Sequence, residues 1–146
     1  AQKDGRNKKD FLRMNTIVDY MYQHDAFSQW LGIRRIAEGE GHCTLEMEVR
    51  PEMVNGFGIA HGAMTYALAD SALAFASNAR GRKAVSIETS INHLKPVMAG
   101  DVITAVAEET SLGHKLAIYH IRVTRGQDLV ALFKGVVYRK EEEWNL

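Results

Sequence analysis

One segment, HGAMTYALADSALAFASNA at residues 61–79, indicates the fold of this 146-residue chain. It contains no proline, and alanine and other strong helix formers fill its centre, so it predicts one long helix. The alanines leave little bulk on any side, which allows strands or another helix to approach closely. A helix that is apolar nearly all round is typical of a buried element. We therefore expect this helix to lie at the centre of the fold.

The segments on either side of the central helix predict a mixed α and β chain. Residues 10–31 have the apolar spacing of a helix, with a second short repeat at their end. Strands are predicted at 32–37, 41–49, 85–94, 101–110, 115–124 and 129–139. The short turns SLGH and RGQD predict antiparallel hairpins between the last three. This order predicts an α+β fold, an antiparallel sheet of about six strands wrapped around the central helix.

Composition and charge limit the classes of function. A hydrophobic content of 46% fits a single domain over residues 1–146, with residues 1–9 as a flexible N-terminus and the tail EEEWNL as a solvated end. Eighteen basic and eighteen acidic side chains cancel, so neither nucleic acid nor a membrane is an expected partner. From the polar start we expect no secretion signal, and Cys43 has no second cysteine with which to form an internal disulfide. A cytoplasmic location is expected.

A glycine-rich loop, NGFGIAHG at residues 55–62, leads into the central helix. A dinucleotide-binding loop needs a third glycine where this chain has His61, and no Gly-Lys-Ser/Thr or G-x-S-x-G motif is present. The six histidines and Cys43 lack metal-ligand spacing, so no metal site is expected. What remains is a helix N-terminus, whose first N–H groups have no acceptor inside the helix. Gly62 either forms an oxyanion hole there or lets the helix pack tightly on a strand.

Asp70 is the second unusual residue, because it lies in the most apolar helix of the chain. A buried, unpaired carboxylate is costly, so Asp70 has either a structural partner or a chemical task. It follows Gly62 by eight residues, which is about 12 Å along a helix at roughly 1.5 Å per residue. One carbonyl group cannot touch both within one subunit. If the two cooperate, Asp70 must come from a second chain in a symmetric dimer.

The set formed by Asn55, His61-Gly62 and Asp70 closely resembles a known family at this spacing. The family is the hotdog-fold acyl-CoA thioesterases of the phenylacetate-degradation (PaaI) type, within the 4-hydroxybenzoyl-CoA thioesterase-like superfamily. Its usual pattern is N-x-x-G-x-x-H-G-G with L-A-D in the helix behind it. The similarity continues through FSQWLGI, SIETSINHLKPVMAGD and the SLGHK hairpin. Ala63 departs from it, since it stands where the family has its second glycine.

The resemblance implies a hotdog fold and roles for five residues. The N–H of Gly62 would polarise the thioester carbonyl, and Asp70 of the partner subunit would act as nucleophile or as general base on water. Asn55 would place the water or the thioester, while His61 would hold the loop by hydrogen bonds. Ser86 matches a position that assists water in some relatives, although a locally bonded strand hydroxyl is an equal interpretation. No metal or redox cofactor is implied, since coenzyme A is part of the substrate.

The phosphates of coenzyme A would need local cations in a chain of zero net charge. The candidates are Arg80, Arg82, Lys83, Lys95 and Lys115. Tyr66 and Phe57 either line the acyl pocket or fill the core. The family also implies a homodimer with shared sites, assembled into a tetramer as a dimer of dimers.

Two other functions stay open on the sequence. A hotdog hydratase or dehydratase would need a catalytic histidine in a pocket with a carboxylate on the central helix, but the H-F-P motif of the acyl-carrier-protein dehydratases is missing. A non-catalytic acyl-CoA sensor would need a DNA-binding domain, for which the residues before the first strand are too few. The acyl group, aromatic or medium-chain, is not decided by the sequence.

Overall fold

The computed structural model of the protein describes residues 8–146, with the backbone alone described for residues 10–15. Its elements are α1 (Lys8–Gln23), α2 (Ala26–Trp30), β1 (Arg34–Gly39), β2 (His42–Glu48), α3 (Gly62–Asn78), β3 (Arg82–His93), β4 (Val102–Leu112), β5 (Leu116–Arg125) and β6 (Asp128–Glu143). A 3₁₀ turn at Pro51–Met53 precedes the loop that leads into α3. The predicted flexible segment lies mostly outside the described residues, and its last two residues open α1.

All six strands form one antiparallel sheet in the order β1-β2-β4-β5-β6-β3, and α3 contacts every strand. The predicted α+β architecture with a buried central helix is therefore confirmed. Ala69, Ala72 and Ala76 are completely buried, which shows why the helix is built from small residues. Gly135 on β6 serves the same close approach, because a Cβ there would overlap the side chain of Leu73 on α3.

The two predicted hairpins, β4–β5 and β5–β6, are present. The largest error in a strand boundary is four residues, at the end of β6, where the prediction stopped at residue 139. No helix within residues 8–146 is long and apolar enough to cross a lipid bilayer.

The prediction that the tail EEEWNL is solvated is wrong in part. Residues Glu141–Glu143 continue β6 with exposed side chains, but Trp144 folds back on the end of α3. Its indole N–H donates to Asn78 Oδ1 over 2.9 Å, and its backbone N–H donates to the carbonyl of Gly81 over 2.9 Å. An indole that finds both an apolar surface and an acceptor is more stable packed than solvated.

β3 lies at one end of the sheet and runs beside α3 in the opposite direction. Asn78, at the end of α3, exchanges two hydrogen bonds of 3.0 Å with the backbone of Ala84. The other end of the strand meets the start of the helix, where His93 approaches Gly62. Val85 and Ile87 on this strand are 46% and 58% exposed. A long edge strand with exposed apolar side chains is a surface that natural proteins usually cover.

Candidate active site

The loop before α3 is closed by Asn55. Its Oδ1 accepts from the backbone N–H of Phe57 over 2.9 Å and of Ile59 over 3.4 Å, and its own N–H donates to the carbonyl of Ile59. Gly58 has a φ of +78°, which explains a glycine at that position. Open space surrounds the Cβ position of Gly56, so no steric reason for glycine is found there. Within residues 8–146, no acceptor is found for the side-chain NH₂ of Asn55, which leaves it available to a ligand.

At the start of α3, the backbone N–H groups of Gly62 and Ala63 differ in their hydrogen bonding. His61 is the N-cap, and its Nδ1 accepts from the N–H of Ala63 over 3.0 Å. The N–H of Gly62 has no acceptor among the described residues. Both interpretations of Gly62 therefore find support, because a Cβ there would also lie 3.0 Å from Nε2 of His93 on β3. The missing side chain allows the strand to approach and leaves the helix N-terminus open.

Asn55, Gly62, His93 and Lys95 line a cleft of about 400 Å³, which we call the donor cleft. Sequence reasoning missed His93. The signal was present in the alternation along β3, where Ile91 and His93 pair with the buried Phe133 and Ala131 of β6 and so share the face towards α3. His93 follows Ile91 by two residues on the face of β3 that is turned towards α3, so the strand places a polar side chain at the start of that helix.

Asp70 lies in a second cleft, of about 260 Å³, which we call the acid cleft. It is lined by Asp70, Ser77 and Ser86 among mainly apolar neighbours. Asp70 is half-buried and has no hydrogen bond or ion pair within the described residues. Burial, and after it the negative charge of Asp25, raises the pKa of Asp70.

Asp25 is held beside the helix by a short chain of hydrogen bonds. As the N-cap of α2, it accepts from the N–H of Ser28 over 2.9 Å and from its hydroxyl over 2.6 Å. The completely buried Ser28 hydroxyl also bonds the hydroxyl of Ser71, the residue after Asp70, over 2.8 Å. α2 therefore places a second carboxylate near Asp70.

The two clefts share no lining residue. The structure thus brings Gly62 together with Asn55, and Asp70 together with Ser86, but it keeps the two pairs apart within one protomer. The eight-residue separation on α3 accounts for this, at about 12 Å for roughly 1.5 Å per residue.

The sequence model of the thioesterase superfamily matches residues 57–132. The chain belongs to the thioesterase superfamily. It is 39% identical to the acyl-coenzyme A thioesterase PaaI of Escherichia coli K12 over 120 residues, 82% of this chain and 86% of that protein.

Solved structures confirm the predicted hotdog fold. The structure of the E. coli PaaI protein from the phenylacetic acid degradation operon has a TM-score of 0.87 at 35% identity, with 90% of this chain and 96% of that chain covered. A mutant of the phenylacetic acid degradation protein PaaI from Thermus thermophilus has a TM-score of 0.78 at 39% identity, covering 80% of this chain and all of that one (100%).

Three of the five predicted phosphate-binding cations of this thioesterase-superfamily chain are engaged elsewhere. Arg80 forms a bidentate ion pair with Glu109, at 2.7 and 3.0 Å, and the hydroxyl of the buried Tyr119 donates to the same carboxylate. Arg82 donates to backbone carbonyls of β6, and Lys83 pairs with Glu142. All three lie beyond the C-terminal end of α3, away from Gly62.

Lys95 is the predicted cation that lines the donor cleft. Its ammonium group pairs with Asp128 at 2.9 Å, but half of the side chain is exposed. Lys115 is exposed in the β4–β5 turn and lines neither cleft.

Tyr66 lies between the two clefts and lines neither of them. Its hydroxyl bonds that of Thr89 on β3, and its ring packs edge-on against Phe133 with centroids 5.1 Å apart. It therefore joins the core, which was one of its two predicted placements. Phe57 is 91% exposed and joins neither the core nor a cleft.

Proposed function

We propose that the protein hydrolyses an acyl-CoA thioester to a carboxylic acid and coenzyme A. One observation carries the proposal: among the described residues, the Gly62 N–H of α3 has no acceptor and the half-buried carboxylate of Asp70 has no partner. Acyl transfer needs such a pair, a donor for the developing oxyanion and a base or nucleophile. The E. coli relative, named as an acyl-coenzyme A thioesterase, supports coenzyme A as the thiol part.

The donor cleft would bind the thioester carbonyl. The Gly62 N–H lies at the positive end of the α3 dipole, so it stabilises the negative charge that develops on the carbonyl oxygen. The side-chain NH₂ of Asn55 lies in the same cleft and would orient the thioester or the attacking water. His61 is occupied in capping α3, which fits a supporting role.

The acid cleft would supply the attacking group. As a general base, Asp70 takes a proton from water while the water oxygen bonds the carbonyl carbon. The tetrahedral intermediate then collapses, the C–S bond breaks and the leaving thiolate takes up the proton that Asp70 removed from water. As a nucleophile, the Asp70 carboxylate itself displaces the thiolate, and water then hydrolyses the mixed anhydride. Ser86 lines this cleft and would hold the water in either case.

The two clefts would meet across a symmetric dimer. Both are bordered by β3, the edge strand with exposed apolar side chains, so pairing of this edge with its copy would bring them together. Asp70 of the partner subunit would then face Gly62, and the two-fold axis would create two identical sites. A tetramer, a cytoplasmic location and a role in phenylacetate degradation stay predictions.

Lys95 is the cation we assign to the coenzyme A phosphates, since it lines the donor cleft and is half exposed. Arg80 and Lys83 are held in ion pairs as Lys95 is, but they lie beyond the C-terminal end of α3 and do not line the donor cleft.

Thiol release from a panel of acyl-CoA substrates tests the proposal. Aryl-acetyl, benzoyl and C4 to C12 thioesters are compared for wild type, Asp70→Asn and the control Asp19→Asn, which removes a 54% exposed carboxylate of α1. We expect turnover of one acyl class, a loss of at least about 100-fold in Asp70→Asn and no change in the control. The rate should survive EDTA.

The other outcomes of the panel point to different functions. Turnover that survives Asp70→Asn would contradict the proposed mechanism. With an enoyl-CoA added to the panel, loss of its absorbance without thiol release would indicate a hydratase. Binding of acyl-CoA without any conversion would indicate a sensor.

A further inference from the structure

His93 lies against Gly62, so near that a Cβ on residue 62 would make a tight contact with its ring. Its Nε2 is 3.0 Å and its Cε1 3.3 Å from the position that a Cβ on Gly62 would occupy. The edge of the imidazole is therefore directed at the glycine. The ring is carried by the last residue of β3, which pairs with the buried Ala131 of β6, so the strand fixes its side of the sheet.

The imidazole is free to bind a ligand. No hydrogen bond or ion pair engages His93 within the described residues, and its side chain is exposed to the donor cleft. The other charged side chain that lines this cleft is Lys95, which is paired with Asp128. A neutral imidazole carries one N–H and a charged one carries two, so Nε2 can be a donor in both charge states.

An oxygen atom bound to the Gly62 N–H would share the donor cleft with this ring. A hydrogen-bonded oxygen sits about 2.9 Å from the backbone nitrogen. Because Gly62 has no side chain, no atom of a side chain at this position lies between that oxygen and Nε2 of His93. Backbone N–H groups and histidine side chains are both donors from which oxyanion holes are built.

We propose that His93 is a further catalytic residue, which donates a hydrogen bond from Nε2–H to the thioester carbonyl oxygen beside the Gly62 N–H. The inference rests on the proposed function and adds a donor from β3 to the one from α3. The proton stays on His93 throughout, and the bond strengthens as negative charge develops on the oxygen. Gly62 is then required twice, for its own N–H and for the approach of the second donor.

Two variants separate donation from packing. His93→Phe keeps an aromatic ring of similar size against Gly62 but removes the donor. His93→Gln removes the ring but keeps a side-chain N–H. Because His93 is exposed, both variants should fold, which far-ultraviolet circular dichroism checks. We expect kcat to fall about 100-fold in His93→Phe with KM changed less than about threefold, and to recover in part in His93→Gln.

A carbonyl vibration gives a second readout that does not depend on turnover. The probe is a ¹³C-labelled analogue in which a CH₂ group replaces the thioester sulfur, bound to each protein and observed by difference infrared spectroscopy. Wild type should lower the carbonyl stretching frequency relative to the free analogue. His93→Phe should raise it again, and His93→Gln should leave it near the wild-type value.

The results distinguish failure of this inference from failure of the proposed function. If wild type hydrolyses thioesters but His93→Phe keeps both its kcat and the wild-type carbonyl frequency, His93 only packs against Gly62 and the inference is wrong. If wild type neither hydrolyses a thioester of the panel nor binds the analogue, the proposed function fails, and the role of His93 fails with it.

Discussion

The donor cleft and the acid cleft lie along the same helix and are bordered by the same strand, yet they are complementary in chemistry. The donor cleft presents N–H groups at a helix terminus, where such groups lack acceptors in any helix. The acid cleft presents a carboxylate among apolar side chains, where such a group is expensive. Each cleft contains what the other lacks, which is the pattern expected of two halves of one site.

The two clefts also differ in how much their polar groups destabilise the folded state. The open N–H of Gly62 costs little, because the first turn of a helix always has unpaired donors. Burial raises the pKa of Asp70, so its ionisation opposes folding, and this cost appears as pH rises through the raised pKa. A protein retains such a group when it has a chemical task. This contrast supports function in the acid cleft more strongly than its shape does.

Removal of the Gly62 N–H should have the largest effect on the donor cleft. Gly62→Pro deletes this N–H, and proline is well tolerated at the first position of a helix. His61 already has φ −59° and ψ 137°, the extended conformation that a following proline requires. We expect kcat/KM to fall about 100- to 1,000-fold, measured by thiol release, with little change in the melting temperature.

Gly62→Ala is the matched control. It adds a Cβ at the same place but keeps the N–H, so it disturbs His93 without removing the backbone donor. Its loss of activity should be much smaller than that of Gly62→Pro. Equal losses in the two variants would mean that crowding, rather than the missing donor, explains the effect.

Mixed dimers should show whether the two clefts belong to one site. Gly62→Pro and Asp70→Asn chains, each with its own affinity tag, are expressed together and the doubly tagged dimer is isolated. One of its two sites then combines both lesions and the other has neither, so about half of the wild-type rate should return. A mixed dimer as inactive as its parents would show that both groups act from the same protomer.

Much of this arrangement could be predicted because it depends on local rules. The alanine-rich stretch 61–79 is helical by propensity and buried by composition, and the turns SLGH and RGQD define hairpins. The separation of Gly62 and Asp70 follows from helix geometry alone. The hotdog fold and the family followed from the resemblance carried by Asn55, His61-Gly62 and Asp70.

The remainder depended on contacts between distant segments. His93 became part of the donor cleft through the pairing of β3 with β6, and Arg80 was engaged by Glu109, 29 residues away. The indole of Trp144 is hydrogen-bonded to Asn78, which lies 66 residues earlier in the chain. The role of Asp25 beside Asp70 depends on the buried bond between Ser28 and Ser71. Nothing in the local sequence of Arg80, Trp144 or Asp25 specifies the partner, so charge and spacing alone could not identify it.

Asp25→Asn should produce the smallest effect, a change in pH dependence rather than in rate. Asparagine still caps α2, so the fold should persist while the negative charge beside Asp70 is lost. Because that charge raises the pKa of Asp70, its removal lowers this pKa and keeps the active carboxylate ionised to a lower pH. The acid limb of the kcat/KM profile should therefore move to lower pH, with a gain of a few-fold at most at its acid end and no change at its plateau.

The control Asp19→Asn also removes one negative charge, but from a side chain paired with Arg35, and it should leave the acid limb in place. A limb that stays fixed in Asp25→Asn, or moves equally in both variants, would mean that Asp25 only caps α2 and that burial alone raises the pKa of Asp70.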